Sequence, residues 1–209
     1  MKIIRQVIVF AGLIALGGCG AVSALNKAAT PLDAYELRAP GDLPQAGRSL
    51  NRALSIEPPT TSGALDTDRI LVKPNAVQSL YLPDGRWASD LPAMWQTMVL
   101  RSFEDTGALS YVGRKPLGTL GDFALISEIT DFQAALDGDS ATIRLRLTAR
   151  MVRESDARVM ARRVFSAAVP VDGTETLDLV NGFNAASDKV LADMVRWGLG
   201  VMGLRLPGA

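Results

Sequence analysis

From residue 141 to 169 the chain places apolar side chains at alternate positions. Ile143, Leu145, Leu147, Ala149 and Met151 alternate with Arg144, Arg146, Thr148, Arg150 and Val152. That is the period of a strand with one buried and one exposed face. Glu154-Ser155-Asp156 supplies a turn, and Val159, Ala161, Phe165, Ala167 and Val169 continue at period two, interrupted by Arg163. Upstream, Phe123 to Ala135 reads as a third strand, joined through Asp137-Gly138-Asp139-Ser140, a good hairpin turn. Its alternation runs Leu125, Ser127, Ile129 and then slips to Phe132, which predicts a β-bulge. Residues 122–169 therefore predict a three-stranded antiparallel meander.

Shorter strand candidates precede it at Ala34–Arg38, Arg52–Glu57 and Arg69–Lys73. Pro58-Pro59 stops the second and Pro74 the third. Ser89 or Asp90 can cap a helix carrying Leu91, Trp95, Met98 or Val99, and Phe103 on one face, with Gly107 just past its end. Pro92 falls in the first turn, where a missing N–H costs little. A second helix is expected from near Thr174, presenting Val180, Phe183, Val190 or Leu191, Met194 and Trp197, and ending among Gly198, Gly200 and Gly203. This order predicts an α+β fold: a single domain with a mostly antiparallel sheet, a C-terminal three-stranded meander, and two main helices packed on one face. No internal repeat, low-complexity tract or second linker interrupts it.

The N-terminus follows a different pattern. Lys2 and Arg5 precede an apolar run from Val7 to Leu16. That run is too short for a comfortable membrane span, which needs about twenty residues, and it has the proportions of a signal-peptide core. It ends in Leu16-Gly17-Gly18-Cys19, which resembles the lipobox of bacterial lipoproteins. Small residues let a peptidase fit extended backbone into a narrow cleft, and the cysteine sulfur takes the lipid. The resemblance implies a signal peptide over residues 1–18, lipidation of Cys19 and a tether over 19–32. The domain then spans 33–206. Fourteen steps from Cys19 to Asp33 reach at most roughly 45–50 Å, so the domain can stand off the membrane. Gly20 follows the cysteine, with no Asp of the kind that retains many lipoproteins in the inner membrane. This favours the outer membrane, facing the periplasm.

Composition removes most catalytic chemistry. The 209 residues contain no histidine and one cysteine, with 22 basic against 22 acidic side chains. Ser-His-Asp and Cys-His catalysis are excluded, the commonest metal ligand is missing, and one cysteine forms neither an internal disulfide nor a Cys-rich zinc site. The balanced charge argues against a nucleic-acid binder. No cofactor motif appears: Gly118-Thr119-Leu120-Gly121 has neither the spacing nor the lysine of a phosphate loop. Asp66/Asp68 and Asp137/Asp139 are close carboxylate pairs, but both lie in polar turns where Asp is common for backbone reasons. No catalytic, cofactor or metal residue is assigned, and the chain reads as non-enzymatic.

One local asymmetry is basic. Residues 141–163 carry seven arginines against Glu154 and Asp156, a local net of +5. Arg144, Arg146 and Arg150 fall on one strand face, with Arg158 and Arg162 expected on the neighbouring strand. Two readings stand: a solvated, edge-protecting face, or a docking surface for an acidic partner, a lipid headgroup or another subunit. Tyr81 to Asp90 reads as a loop before the first helix that holds Arg86 and Trp87. Trp and Arg together are common interface anchors, and a Trp folded back into the core is the competing reading. Trp95 and Trp197 sit at helical spacing and read as core.

The lipobox, Tyr35-Glu36-Leu37 with a proline soon after, and Asp68-Arg69-Ile70-Leu71-Val72-Lys73 together resemble the ABC-type transport auxiliary lipoproteins. Arg86-Trp87-Ala88 ahead of the first helix, and Phe183-Asn184 with Trp197 in the last, fit the same pattern. The resemblance covers most of the chain after Cys19. It implies an outer-membrane-anchored, non-enzymatic accessory of an inner-membrane ABC permease/ATPase system and its substrate-binding ring protein. Such systems move lipids or other hydrophobic molecules between the two membranes. It leaves homo-oligomerisation open and carries over only Cys19 as a functional position. The alternative is a structural lipoprotein that helps assemble or plug another outer-membrane complex.

Overall fold

In the computed structural model, residues 31–116 and 121–207 are described. Five strands come first: β1 (Asp33–Tyr35), β2 (Leu50–Ile56), β3 (Thr60–Thr61), β4 (Arg69–Lys73) and β5 (Leu80–Trp87). Helix α1 (Leu91–Glu104) follows, then β6 (Leu109–Gly113), the long strands β7 (Phe123–Asp137), β8 (Ser140–Arg153) and β9 (Arg158–Val171), and helix α2 (Thr176–Val201). The expected signal peptide, Cys19 and all but the last two tether residues lie outside the described residues, as do Gly118, Thr119 and Leu120.

The meander forms as its alternation requires. β7 and β8 pair antiparallel from Phe123↔Arg153 to Asp137↔Ser140, and β8 and β9 from Ala141↔Val171 to Arg153↔Arg158. The connection through Gly138 uses a positive φ of 59°, which glycine adopts without steric cost. The slip after Ile129 is a bulge. The register shifts between Ile129 and Asp131, so Phe132 returns to the core opposite Leu145. Without the extra residue, Phe132 and everything after it in β7 would turn to solvent.

β7 is also the spine of the sheet. Its other edge receives three short strands in succession, all parallel: β2 beside Phe123–Leu125, β3 beside Glu128 and Ile129, and β4 beside Ala134 and Ala135. β6 adds parallel to β2, and β5 antiparallel to β4 with β1 outside it. The sheet is thus mixed, although its longest ladders are antiparallel as expected. β5 corrects the reading of Tyr81–Asp90 as a loop. Its Pro-Asp-Gly run suggests a turn, yet it lies within a strand in which three residues of β4 (Arg69 to Leu71) are opposite six of β5 (Tyr81 to Arg86). Pro83 falls inside that irregular stretch, where no regular ladder hydrogen bond is required.

Helix α2 covers the face of β8 that holds Ile143, Leu145, Leu147, Ala149 and Met151, all buried, and α1 lies beside it against β2 and β6. Gly182 of α2 lies so close to β8 and β9 that a Cβ there would stand 2.5 Å from Val171 and 2.7 Å from Ile143. Gly198 is equally close to Phe103 of α1 (2.8 Å) and near Met151 (3.3 Å), where the two helices and the sheet meet. At the centre, Phe132 stacks on Phe183 at 4.9 Å, and Trp87 and Trp95 stand edge-on to Phe132 at 6.0 and 6.1 Å. Trp197 is half-buried and packs on Phe165 at 5.5 Å. The buried apolar residues run from Leu37 to Leu206. The unit from Ala34 onward therefore carries a complete core of its own.

Candidate functional site

Helix α2 covers one face of the meander, and its opposite face carries the arginine stripe. Cross-strand register arranges that face in rows. Arg144 lies between Gln133 and Ala168, Arg146 between Asp131 and Ser166, Thr148 between Glu128 and Val164, and Arg150 between Ile126 and Arg162. Arg144 and Arg146 are exposed and Arg150 is half-buried. The expected coherence of the three arginines is therefore a geometric fact.

None of the four ion pairs among the described residues involves this stripe. Asp131, across the ladder from Arg146, has its carboxylate occupied otherwise. Gln133 Nε2 donates to Asp131 Oδ1 at 3.0 Å and Thr130 Oγ1 to Oδ2 at 3.4 Å. Asp131, Arg144, Arg146 and Ser166 line a shallow hollow of about 280 Å³. Guanidinium groups without a carboxylate partner keep their full donor set for an incoming oxyanion. Arg162 shares this face. Arg158 does not join the row: it stands opposite Arg153 at the end of the hairpin, because a second bulge, at Met160, shifts the register there.

Arg86 and Trp87 part company. Arg86 Nη1 donates to Asp68 Oδ2 and to the Trp87 carbonyl, both at 3.2 Å, tying β5 to the turn before β4. Trp87 is 1% exposed and cannot serve as an interface anchor in this fold. It is the core plug of the competing reading. The irregular stretch opposite Arg69–Leu71 resets the alternation of β5, so that Trp87, with Gly85 before it, turns inward although it lies an odd number of residues after Leu82. Two carboxylates not singled out in the sequence are structural. Asp122 accepts from the Ala53 backbone N–H and from Arg52 Nη1, each at 2.8 Å, and these bonds hold its carboxyl below the usual carboxylate range. Asp156 is held at about 2, chiefly by its paired hydrogen bonds from Arg153. Nothing in the spacing signals the partners of Asp122, which reaches a strand nearly seventy positions away, whereas Arg153 and Asp156 meet locally across one turn. Among the described residues no group of three or more Cys, Asp or Glu side chains could hold a metal ion.

The chain is similar to known proteins. A curated protein from Bradyrhizobium diazoefficiens, bll6063, is 30% identical over 167 residues, covering 78% of this chain. The chain spans 44% of that relative's length. The crystal structure of XCC0632 from Xanthomonas campestris, a DUF330 protein, superimposes with a TM-score of 0.68 at 25% identity, over 82% of this chain and 95% of that one. CT253 from Chlamydia trachomatis, at 11% identity and a TM-score of 0.50 over 73% of this chain and 98% of its own, shares the fold alone. The profile of the ABC-type transport auxiliary lipoprotein component matches residues 35–195, from the strand before Glu36 into the last helix. The chain belongs to the ABC-type transport auxiliary lipoprotein family.

Proposed function

We propose that the protein is a non-enzymatic accessory of an ABC-type transport system that moves lipids or other hydrophobic molecules between the inner and outer membranes. Residues 1–18 direct export, Cys19 carries the lipid anchor in the outer membrane, and residues 19–32 tether the domain of 33–206 in the periplasm. The partners are the inner-membrane permease and ATPase and their substrate-binding ring protein. The observation that carries this reading is the family match over 35–195, and the lipobox at Leu16-Gly17-Gly18-Cys19 supports it. The uncovered face with Arg144, Arg146 and Arg150 is the docking surface, because it offers unpaired guanidinium groups on a rigid sheet.

Two measurements test it. Cys19→Ala should accumulate as uncleaved precursor or as soluble periplasmic protein, since multiple acyl chains are what hold a lipoprotein firmly. Purification of the wild-type protein from membranes after cross-linking should bring down a permease, an ATPase or a ring protein. Normal membrane fractionation of Cys19→Ala refutes the anchor. Reproducible capture of an unrelated outer-membrane assembly refutes the transport role.

A further inference from the structure

We propose that the free end of the β8–β9 hairpin binds the surface of an anionic phospholipid bilayer. The observation is a mixture of charge and exposed apolar surface that a solvated face does not require. Residues 150–163 hold five arginines against Glu154 and Asp156, a local net of +3. Both acids are engaged: Glu154 Oε2 accepts from the Gly121 backbone N–H at 2.7 Å, and Asp156 pairs with Arg153. Arg150 and Arg162 face each other directly across the ladder on the face of the stripe, while Arg153 and Arg158, paired at the hairpin end, alternate to the other side, where Asp156 engages Arg153. Like charges directly opposite each other oppose folding, and an anionic surface relieves the repulsion.

Apolar side chains surround them. Val159 is 52% exposed, Val164 41%, Met160 39% and Ile126 37%. These are half of the eight large apolar side chains exposed among the described residues, gathered at one end of one face. The register explains why. Met160 is the extra residue of the second bulge, between the pairs Met151↔Ala161 and Val152↔Val159. A bulge re-aims side chains, and here it brings two consecutive apolar residues, Val159 and Met160, to the surface between Arg158 and Arg162. Guanidinium groups that bind phosphate bidentately, beside apolar residues that enter the headgroup boundary, fit a lipid surface. An acidic protein would engage the arginines and leave Val159 and Met160 without a role.

The physiological setting rests on the proposed anchoring, since a tethered domain works beside a bilayer, but the test does not use Cys19. Residues 31–207, which contain the whole core, are sedimented with vesicles of phosphatidylcholine alone or with added phosphatidylglycerol. Binding is expected only to the anionic vesicles and should fall with salt. Arg158→Gln with Arg162→Gln should weaken it by about tenfold or more. Val159→Ser with Met160→Gln should weaken it without changing the salt dependence. Melting temperatures near that of the wild type show that these variants fold. Excess inorganic phosphate should compete poorly, because it supplies no apolar phase. Equal binding to neutral vesicles overturns the proposal, as do failure to bind anionic ones, wild-type binding by both double variants, or full competition by free phosphate. Any of these leaves the fractionation of Cys19→Ala, and the reading built on it, where it stood.

Discussion

Trp87 stands edge-on to Phe183, with ring centroids 5.2 Å apart and ring planes at 90°. The contact joins the end of β5 to the N-terminal third of α2, two elements nearly a hundred residues apart in sequence. An edge-to-face pair adds about 0.5–1.5 kcal/mol to what burial alone supplies. Trp87 also meets Phe132, so its removal opens a cavity shared by the sheet and the helix.

Trp87→Ala should therefore destabilise the domain by about 3–5 kcal/mol, with the midpoint of denaturant unfolding as readout. Trp87→Phe retains part of the packing and should cost less. A cost below about 1 kcal/mol for Trp87→Ala would mean that the ring contributes little to the core. Arg86, its neighbour, is more than a third exposed in its pair with Asp68. Arg86→Gln should change stability by about 1 kcal/mol or less.

The contrast between these neighbours shows where sequence patterns stop. The meander is legible because period two persists from residue 141 to 169, and even the bulge before Phe132 shows as a one-residue slip. The inward faces of both helices are legible for the same reason: Leu91, Trp95, Phe103, Phe183 and Met194 recur at helical spacing. β3, β5 and β6 are not legible. β3 has two residues, β5 contains Pro-Asp-Gly, and β6 has five residues with glycine at its end. Their stability comes from ladders with distant partners, such as Ser55↔Gly113 in a parallel pair, which no local window contains. The arginine face was readable as a stripe. Its division into a polar half around Arg144 and Arg146 and an apolar-rimmed half around Arg150 and Arg162 depends on which residues of β7 and β9 lie opposite.

Two glycines of α2 make a matched test of how closely the helix sits on the sheet. Alanine in a helix interior gains about 1 kcal/mol over glycine when space allows. Nothing lies within 4 Å of a Cβ at Gly200, so Gly200→Ala should stabilise by about 0.5 kcal/mol, reduced by its place in the last turn. At Gly182 the new methyl meets Val171 and Ile143 at 2.5 and 2.7 Å. Overpacking costs about 1–3 kcal/mol, which outweighs the propensity gain, and Gly182→Ala should lower the melting temperature. Equal responses of the two variants would show that α2 lies farther from β8 and β9 than described.

Asp122 gives a pH signature. Its folded-state pKa lies below the ordinary 3.8, first through the Ala53 N–H and then through Arg52. A depressed carboxylate contributes stability above its unfolded pKa and loses it as pH falls through the folded value. The pair is partly exposed, so the contribution is about 1 kcal/mol. Wild type should exceed Asp122→Asn by that amount at neutral pH, and the gap should close below about pH 4. A gap that persists unchanged to the lowest accessible pH would show that ionisation of Asp122 is not its source.

The last prediction separates the two halves of the arginine face. Arg144 and Arg146 are exposed, have no carboxylate partner, and flank the hollow that also holds Asp131 and Ser166. Replacing exposed side chains that bond nothing changes stability by no more than about 0.5 kcal/mol each, so Arg144→Gln with Arg146→Gln should fold and anchor normally. If this half docks a transport partner, the double variant should impair the transport phenotype and reduce the partners recovered after cross-linking. Added salt should weaken the wild-type association in the same direction. A partner that buries the guanidinium groups in bidentate contacts would respond more to mutation than to salt, so both are measured. Vesicle binding, assigned to the hairpin end with Val159, Met160 and Arg162, should persist in this variant. Normal transport and normal co-purification in Arg144→Gln with Arg146→Gln would return this half of the face to a solvated surface that keeps the sheet soluble.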